Sequence, residues 1–149
     1  MCKEKLLKKA ECESFPWGKK ADKVDYGVMY ESRYKLLKIA FERFLRAEPD
    51  DFEAFCEKEA DWLSDYALFM ALKDANGGNA WFSWEKDLKM RKPEALAEAR
   101  STYAKDIRFY QMLQYLFFKQ WWELKAYVNE KGIDLIHKMV LLKLDILIY

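Results

Sequence analysis

Residues 109–122 read FYQMLQYLFFKQWW, and ten of these fourteen side chains are apolar or aromatic. At a helical pitch of 3.6 residues this leaves a large hydrophobe on every side of the helix, where an ordinary surface helix keeps them to one stripe. Such a helix has to be surrounded. Burying one large apolar side chain contributes roughly 1.5–3 kcal/mol, so leaving several in water would offset much of a domain's net stability of about 5–15 kcal/mol. Two partner helices cover two sides, and the rest of the covering is expected from a partner chain or from further sequence.

The chain on either side reads as mainly α. Towards the C-terminus, Gly132 closes the helix, IDLI (133–136, with Ile133 first) reads as a short strand, and HKMVLLKLDILIY (137–149) is an irregular apolar tail. Towards the N-terminus, Pro93 suits the first turn of one long helix reaching about Lys131. NAWFSWEKDLKMRK (79–92) has no clear period and reads as a loop with one turn of helix. A helix over about 50–75 is expected to start at Asp50, with its carboxylate accepting from the Glu53 N–H, and to end at Asn76-Gly77-Gly78. Another covers about Tyr26 to Leu45 with Asp25 as its cap. Residues 3–13 form a short basic amphipathic segment stopped by SFPWG (14–18).

Bulk properties exclude several classes. Lys plus Arg number 26 against 25 Asp plus Glu, so no net field favours nucleic acid or an anionic membrane as partner. Cys2, Cys12 and Cys56 lack metal-ligand spacing and His137 is the single histidine, so neither a disulfide framework nor a zinc site is indicated, and no cofactor is implied. No apolar run approaches the roughly 20 residues of a membrane span. The start MCKEKLLKKAECE carries charges where a signal peptide would need an uninterrupted apolar stretch, so a cytoplasmic location is expected.

Several strings resemble the 4-alpha-glucanotransferases, or amylomaltases: ECESFPWG (11–18), VDYGVMY (24–30), KIAFERF (38–44), DFEAFCEKEADWLSDYALFMALKDANGG (51–78), WFSWEKDLKMRKPEALAEAR (81–100) and FYQMLQYLFFKQWWELKAYVNEKGIDLI (109–136). The resemblance implies a (β/α)8 barrel enzyme of starch and glycogen metabolism that passes α-1,4-glucan segments between maltodextrins by a retaining double displacement. It implies that residues 1–136 are the helical insertion between early barrel strands, ending in a helix of the barrel layer and the strand after it. The family's nucleophilic Asp, acid/base Glu and third Asp fall downstream of the matched region, so this chain is expected to be inactive alone unless the remainder of the barrel is supplied. Family members continue after IDLI with Gly-Asp, an apolar residue and Pro. His137-Lys138-Met139-Val140 stands here instead, so 137–149 reads as a frameshift or truncation in preference to a divergent tail.

Three aromatic side chains are candidate substrate contacts. Tyr30 resembles a family tyrosine that touches glucan away from the cleavage centre, and its alternative is packing under the preceding loop. Trp81 and Trp84, with Phe82 between them, form either a sugar platform or a hydrophobic lid tucked against the long helices. Trp62, Phe117, Trp121 and Trp122 sit at helical spacing and are expected in the core. The acidic row Glu53, Glu57, Asp61 and Asp65 repeats every four residues, lacks the histidines of a di-metal site, and reads as a solvated face paired with lysines. Two non-catalytic readings stand beside the enzyme one: a helical module that binds maltodextrin weakly, and a fragment that self-associates through its overloaded helix.

Overall fold

The computed structural model describes residues 1, 4–18 and 23–133, and every regular element among them is helical. In chain order these are α1 (Lys9–Ser14), α2 (Tyr26–Phe44), α3 (Asp51–Lys58), α4 (Ala60–Ala75), a 3-10 turn at Trp81–Ser83, α5 (Lys86–Lys89), α6 (Pro93–Thr102) and α7 (Ala104–Glu130). The expected strand beyond Ile133, the tail 137–149 and His137 lie outside the described residues. No described helix is long and apolar enough to cross a membrane.

The helix boundaries follow local chemistry. Asp25, in extended conformation, accepts from the Val28 N–H at 3.1 Å and caps α2 as expected. α4 ends in a Schellman motif, with the Gly78 N–H on the Lys73 carbonyl at 2.8 Å and the Gly77 N–H on that of Asp74 at 3.0 Å. Gly77 supplies the left-handed residue at φ +65°. α7 stops the same way, through Ile133 to Val128 and Gly132 to Asn129, with Gly132 at φ +74°.

Three expectations are corrected. Asp50 does not cap: its backbone is already helical at φ −60°, ψ −26°, so its carboxylate is turned from the extended cap position, and the Phe52 N–H bonds the Pro49 carbonyl instead. The helix expected over 50–75 is two, α3 and α4, meeting at Glu59 with φ −99°, ψ 11°. The helix expected from Pro93 to Lys131 is also two, broken at Tyr103 with φ −104°, ψ 22°. The Tyr103 break has a packing cause, since α6 places Ala99 and Leu96 in one apolar cluster while α7 places Phe109, Tyr110 and Met112 in another. The basic N-terminal segment is helical only over Lys9–Ser14.

The chain divides into two compact units, Met1–Leu116 and Phe117–Tyr149. In the first, the Phe109–Leu116 stretch of α7 is the centre of the main core. Phe109 meets Phe41 edge to face at 5.4 Å, and Tyr115 meets Phe52 and Phe55 at 5.3 and 5.6 Å. The buried phenols keep partners: Tyr110 donates to Asp74 at 2.6 Å and Tyr115 to Asp51 at 2.7 Å. Burial, with these carboxylates adding to it, pushes both hydroxyls well above the ordinary tyrosine pKa, so they stay donors. Arg108 lies over the Phe52 ring at 4.2 Å and pairs with Glu48 at 2.5 Å and with Glu53. In the second unit Phe117 and Trp121 stack at 6.4 Å. Trp122 is 46% exposed, against the core position expected for it, and Leu124 and Tyr127 are exposed with it.

Besides Leu6 and Leu7 buried in the main core, the N-terminal segment is held by Arg43. The Arg43 guanidinium donates to both Glu11 oxygens, at 2.7 and 2.5 Å, and to the Leu6 carbonyl at 3.0 Å. This fork, with the Lys8 N–H, lowers the Glu11 pKa from 4.5 to about 2.

These contacts make the core and the N-terminal clasp separately testable. Phe52→Ala should destabilise the protein by about 3–5 kcal/mol, through lost burial and a residual cavity, whereas Tyr110→Phe should cost only about 1 kcal/mol; urea unfolding followed by circular dichroism measures both. Because Glu11 is held down in the folded state, its contribution is complete above pH 4.5 and is lost as the pH falls from there to about 2. NMR titration of the Glu11 carboxyl should show this depressed midpoint in the wild type and a rise towards, but not fully to, 4.5 in Arg43→Ala, since the Lys8 N–H still donates to the carboxylate.

Candidate functional site

The three aromatic candidates have different surroundings. Tyr30, in the first turns of α2, is 47% exposed, and its ring packs on Tyr34 at 4.6 Å, 38° from parallel. Tyr34 is the inner member of the pair, and burial, with Tyr30 beside it, raises its hydroxyl to about 12. Tyr30 therefore presents one part of its ring to solvent while the other leans on the core.

Segment 79–92 folds over α4 and α6. Trp84 is 8% exposed and belongs to a second apolar cluster with Leu68, Leu72 and Ala99. Its ring meets Phe69 at 5.3 Å, and its indole N–H donates to the Asn79 carbonyl at 3.0 Å. Trp81 and Phe82 are 53% and 65% exposed, in a T-shaped pair 6.2 Å apart. Within one short segment, then, Trp84 is packed and Trp81 is open to solvent.

Beside Trp81 opens a cavity of about 450 Å³, within the range of small-molecule sites. Its buried lining is Leu68, Leu72 and Trp84, and its exposed lining is Trp81, Asp65, Lys89 and Arg91. Asp65 accepts from two arginines, Arg91 at 2.6 Å and Arg100 at 3.1 Å. Lysine partners are expected for the acidic row; its ends, Glu53 and Asp65, instead take arginines from other elements, whose rigid forks match a carboxylate. Arg91 is unusual in its backbone as well, at φ +54°. Arg91 N–H bonds the Leu88 carbonyl and Lys92 N–H that of Asp87, both at 3.0 Å, a Schellman cap on α5 with arginine where glycine fits without strain. A non-glycine residue there costs on the order of 1–3 kcal/mol. No glycine marks this cap in the sequence, so sequence reasoning missed Arg91; the signal was Pro93, two residues on, which a helix end commonly precedes. A second cavity of about 450 Å³ lies where the 14–18 turn meets α2, lined by Phe15, Pro16, Val28 and Lys35 among others, and Tyr30 is not part of it. Among the described residues no three metal-ligating side chains come together.

A sequence profile described as 4-alpha-glucanotransferase matches residues 1–143. The chain belongs to the 4-alpha-glucanotransferase family. It is 45% identical over 133 residues to the 4-alpha-glucanotransferase of Thermus thermophilus, covering 87% of this chain and 26% of that one. To the Clostridium butyricum 4-alpha-glucanotransferase it is 37% identical over 131 residues, covering 88% and 27%. Among solved structures it is similar to the amylomaltase from Streptococcus agalactiae in complex with acarbose, with a TM-score of 0.82 and 35% identity over 89% of this chain and 27% of that one. The chain spans about a quarter of the length of the 4-alpha-glucanotransferases it matches. The profile match runs beyond Ile136, into the segment whose sequence reads as a frameshifted tail.

The division of labour between the two tryptophans is measurable. Trp84→Ala should lower stability by about 3–5 kcal/mol, since it empties a packed position. Trp81→Ala should stay within about 0.5 kcal/mol of the wild type. Thermal melts of the two variants compare them directly.

Proposed function

We propose that this chain is the helical insertion of a (β/α)8 barrel 4-alpha-glucanotransferase, handling α-1,4-glucan without cutting it. The observation that carries this reading is the 0.82 TM-score, at 35% identity, to an amylomaltase solved with acarbose, over about a quarter of that enzyme's length. In the whole enzyme a glucan segment would move between maltodextrins by a retaining double displacement, using carboxylates that lie outside this chain. The carboxylates displaced in pKa here, Glu11 and Glu42, are both held down by cations, the opposite of what a general acid needs. Glu42 is lowered chiefly by its bond with Lys105, and both acids serve as structural anchors.

Within this reading Tyr30 and the 81–84 aromatics are the glucan contacts, with Trp84 holding the segment and Trp81 offering the ring face. The exposed Trp122, Leu124 and Tyr127 would pack on the barrel strands, and the whole enzyme would work in the cytoplasm without a cofactor. The test uses the chain alone and in a chimera, replacing the matching quarter of the Thermus thermophilus relative. Maltotriose should be left intact by the chain and disproportionated to glucose and longer dextrins by the chimera. Turnover by the chain alone, lost on substituting one Asp or Glu, would overturn the reading; so would a folded chimera without transfer.

A further inference from the structure

We infer that Trp81, Asp65 and Arg91 form a glucosyl-binding site at the mouth of the cavity beside the second apolar cluster, a contact for a linear α-glucan distinct from the Tyr30 surface. It rests on the reading of the chain as part of a glucan-transferring enzyme, which already makes Trp81 a glucan contact, and deepens it by adding Asp65 and Arg91 as the polar half of the same site.

The first support is the way Trp81 is held. Its one-turn helix is fixed on both sides: the Ser83 N–H and hydroxyl both bond the Ala80 carbonyl, at 2.9 and 2.7 Å, and the Trp84 N–H bonds the Trp81 carbonyl at 3.2 Å. Trp84 then locks the segment to α4 through Phe69. An indole kept half in water on so rigid a base is a preorganised flat surface, and the C–H face of a pyranose is its natural complement.

The second support is the chemistry of the cavity mouth. Asp65 and Arg91 both line it, joined at 2.6 Å, with Arg100 on the other Asp65 oxygen at 3.1 Å. Carboxylate acceptors and guanidinium donors thus lie side by side next to the ring. Vicinal sugar hydroxyls, each donor and acceptor at once, can answer both. Asp65 is already held by two arginines and Lys89 also lines the mouth, so an anionic amphiphile is the competing ligand that the experiment has to separate, and a purely apolar one would make no use of the charged mouth.

The third support is the backbone at Arg91. Arg91 holds a left-handed backbone position, φ +54°, where glycine would close the same cap without strain. The strain is retained at a residue whose side chain faces Asp65 and the cavity, the pattern of strain kept where a side chain has work to do.

The experiment titrates the full 149-residue chain with maltoheptaose, followed by calorimetry and by the tryptophan indole resonances in NMR spectra. Trp81→Ala is expected to weaken binding by about tenfold or more, and Arg91→Gly by several-fold without a lower melting temperature. Tyr30→Ala should leave the Trp81 indole still responding to sugar. The inference is overturned if Trp81→Ala, folded by its melt, binds maltoheptaose as the wild type does. It is also overturned if octyl sulfate, as an anionic amphiphile, moves the Trp81 resonance while maltoheptaose does not. A wild-type chain that binds no maltoheptaose at roughly tens of millimolar overturns it too, whereas the family reading stands or falls separately, on transfer by the chimera.

Discussion

Everything in the first unit depends on enclosing the Phe109–Leu116 stretch of α7. Phe109, Tyr110, Met112, Tyr115 and Leu116 are all buried, and each neighbouring helix is placed to cover one of their sides: α2 through Phe41 and Phe44, α3 through Phe52, and α4 through Ala67 and Met70. Ala40 and Ala67 are both fully buried within the same core. Burying two phenols in such a core is tolerable only if their hydroxyls are answered, so Asp51 and Asp74 have to stand at the ends of the helices that close the core. The aromatic packing and the polar pairs are one solution to one problem.

Much of this was legible in the residues. The period of α2, its Asp25 cap and the double glycine after α4 are local signals, and the structure carries all three. The crowding of FYQMLQYLFFKQWW told that the helix had to be covered, and the buried run from Phe109 is that covering in the first unit. What could not be read were the breaks. Glu59 and Tyr103 are ordinary helix residues with no glycine or proline beside them, and at Tyr103 the chain passes from the cluster of Leu96 and Ala99 to that of Phe109 and Tyr110, with Ile107 touching both, which is a tertiary fact.

The same limit applied to the candidate site. Trp81 and Trp84 look alike in WFSW, yet one is an open ring and the other a packed anchor, because only Trp84 reaches the apolar cluster of Leu68, Leu72 and Ala99. The acidic row looked like a solvated stripe because its arginine partners are 26 and 35 residues away from Asp65 in the chain and 55 from Glu53. Long-range ion pairs of this kind leave no spacing to recognise.

Phe69 packs against both apolar clusters, facing the main core and also touching the Trp84 ring. The covering segment and the central pillar therefore share a side chain and cannot drift independently over evolutionary time. A change in ring size at that shared position must be matched on two fronts at once, so substitutions around Trp84 should track those beneath Tyr110 across related chains.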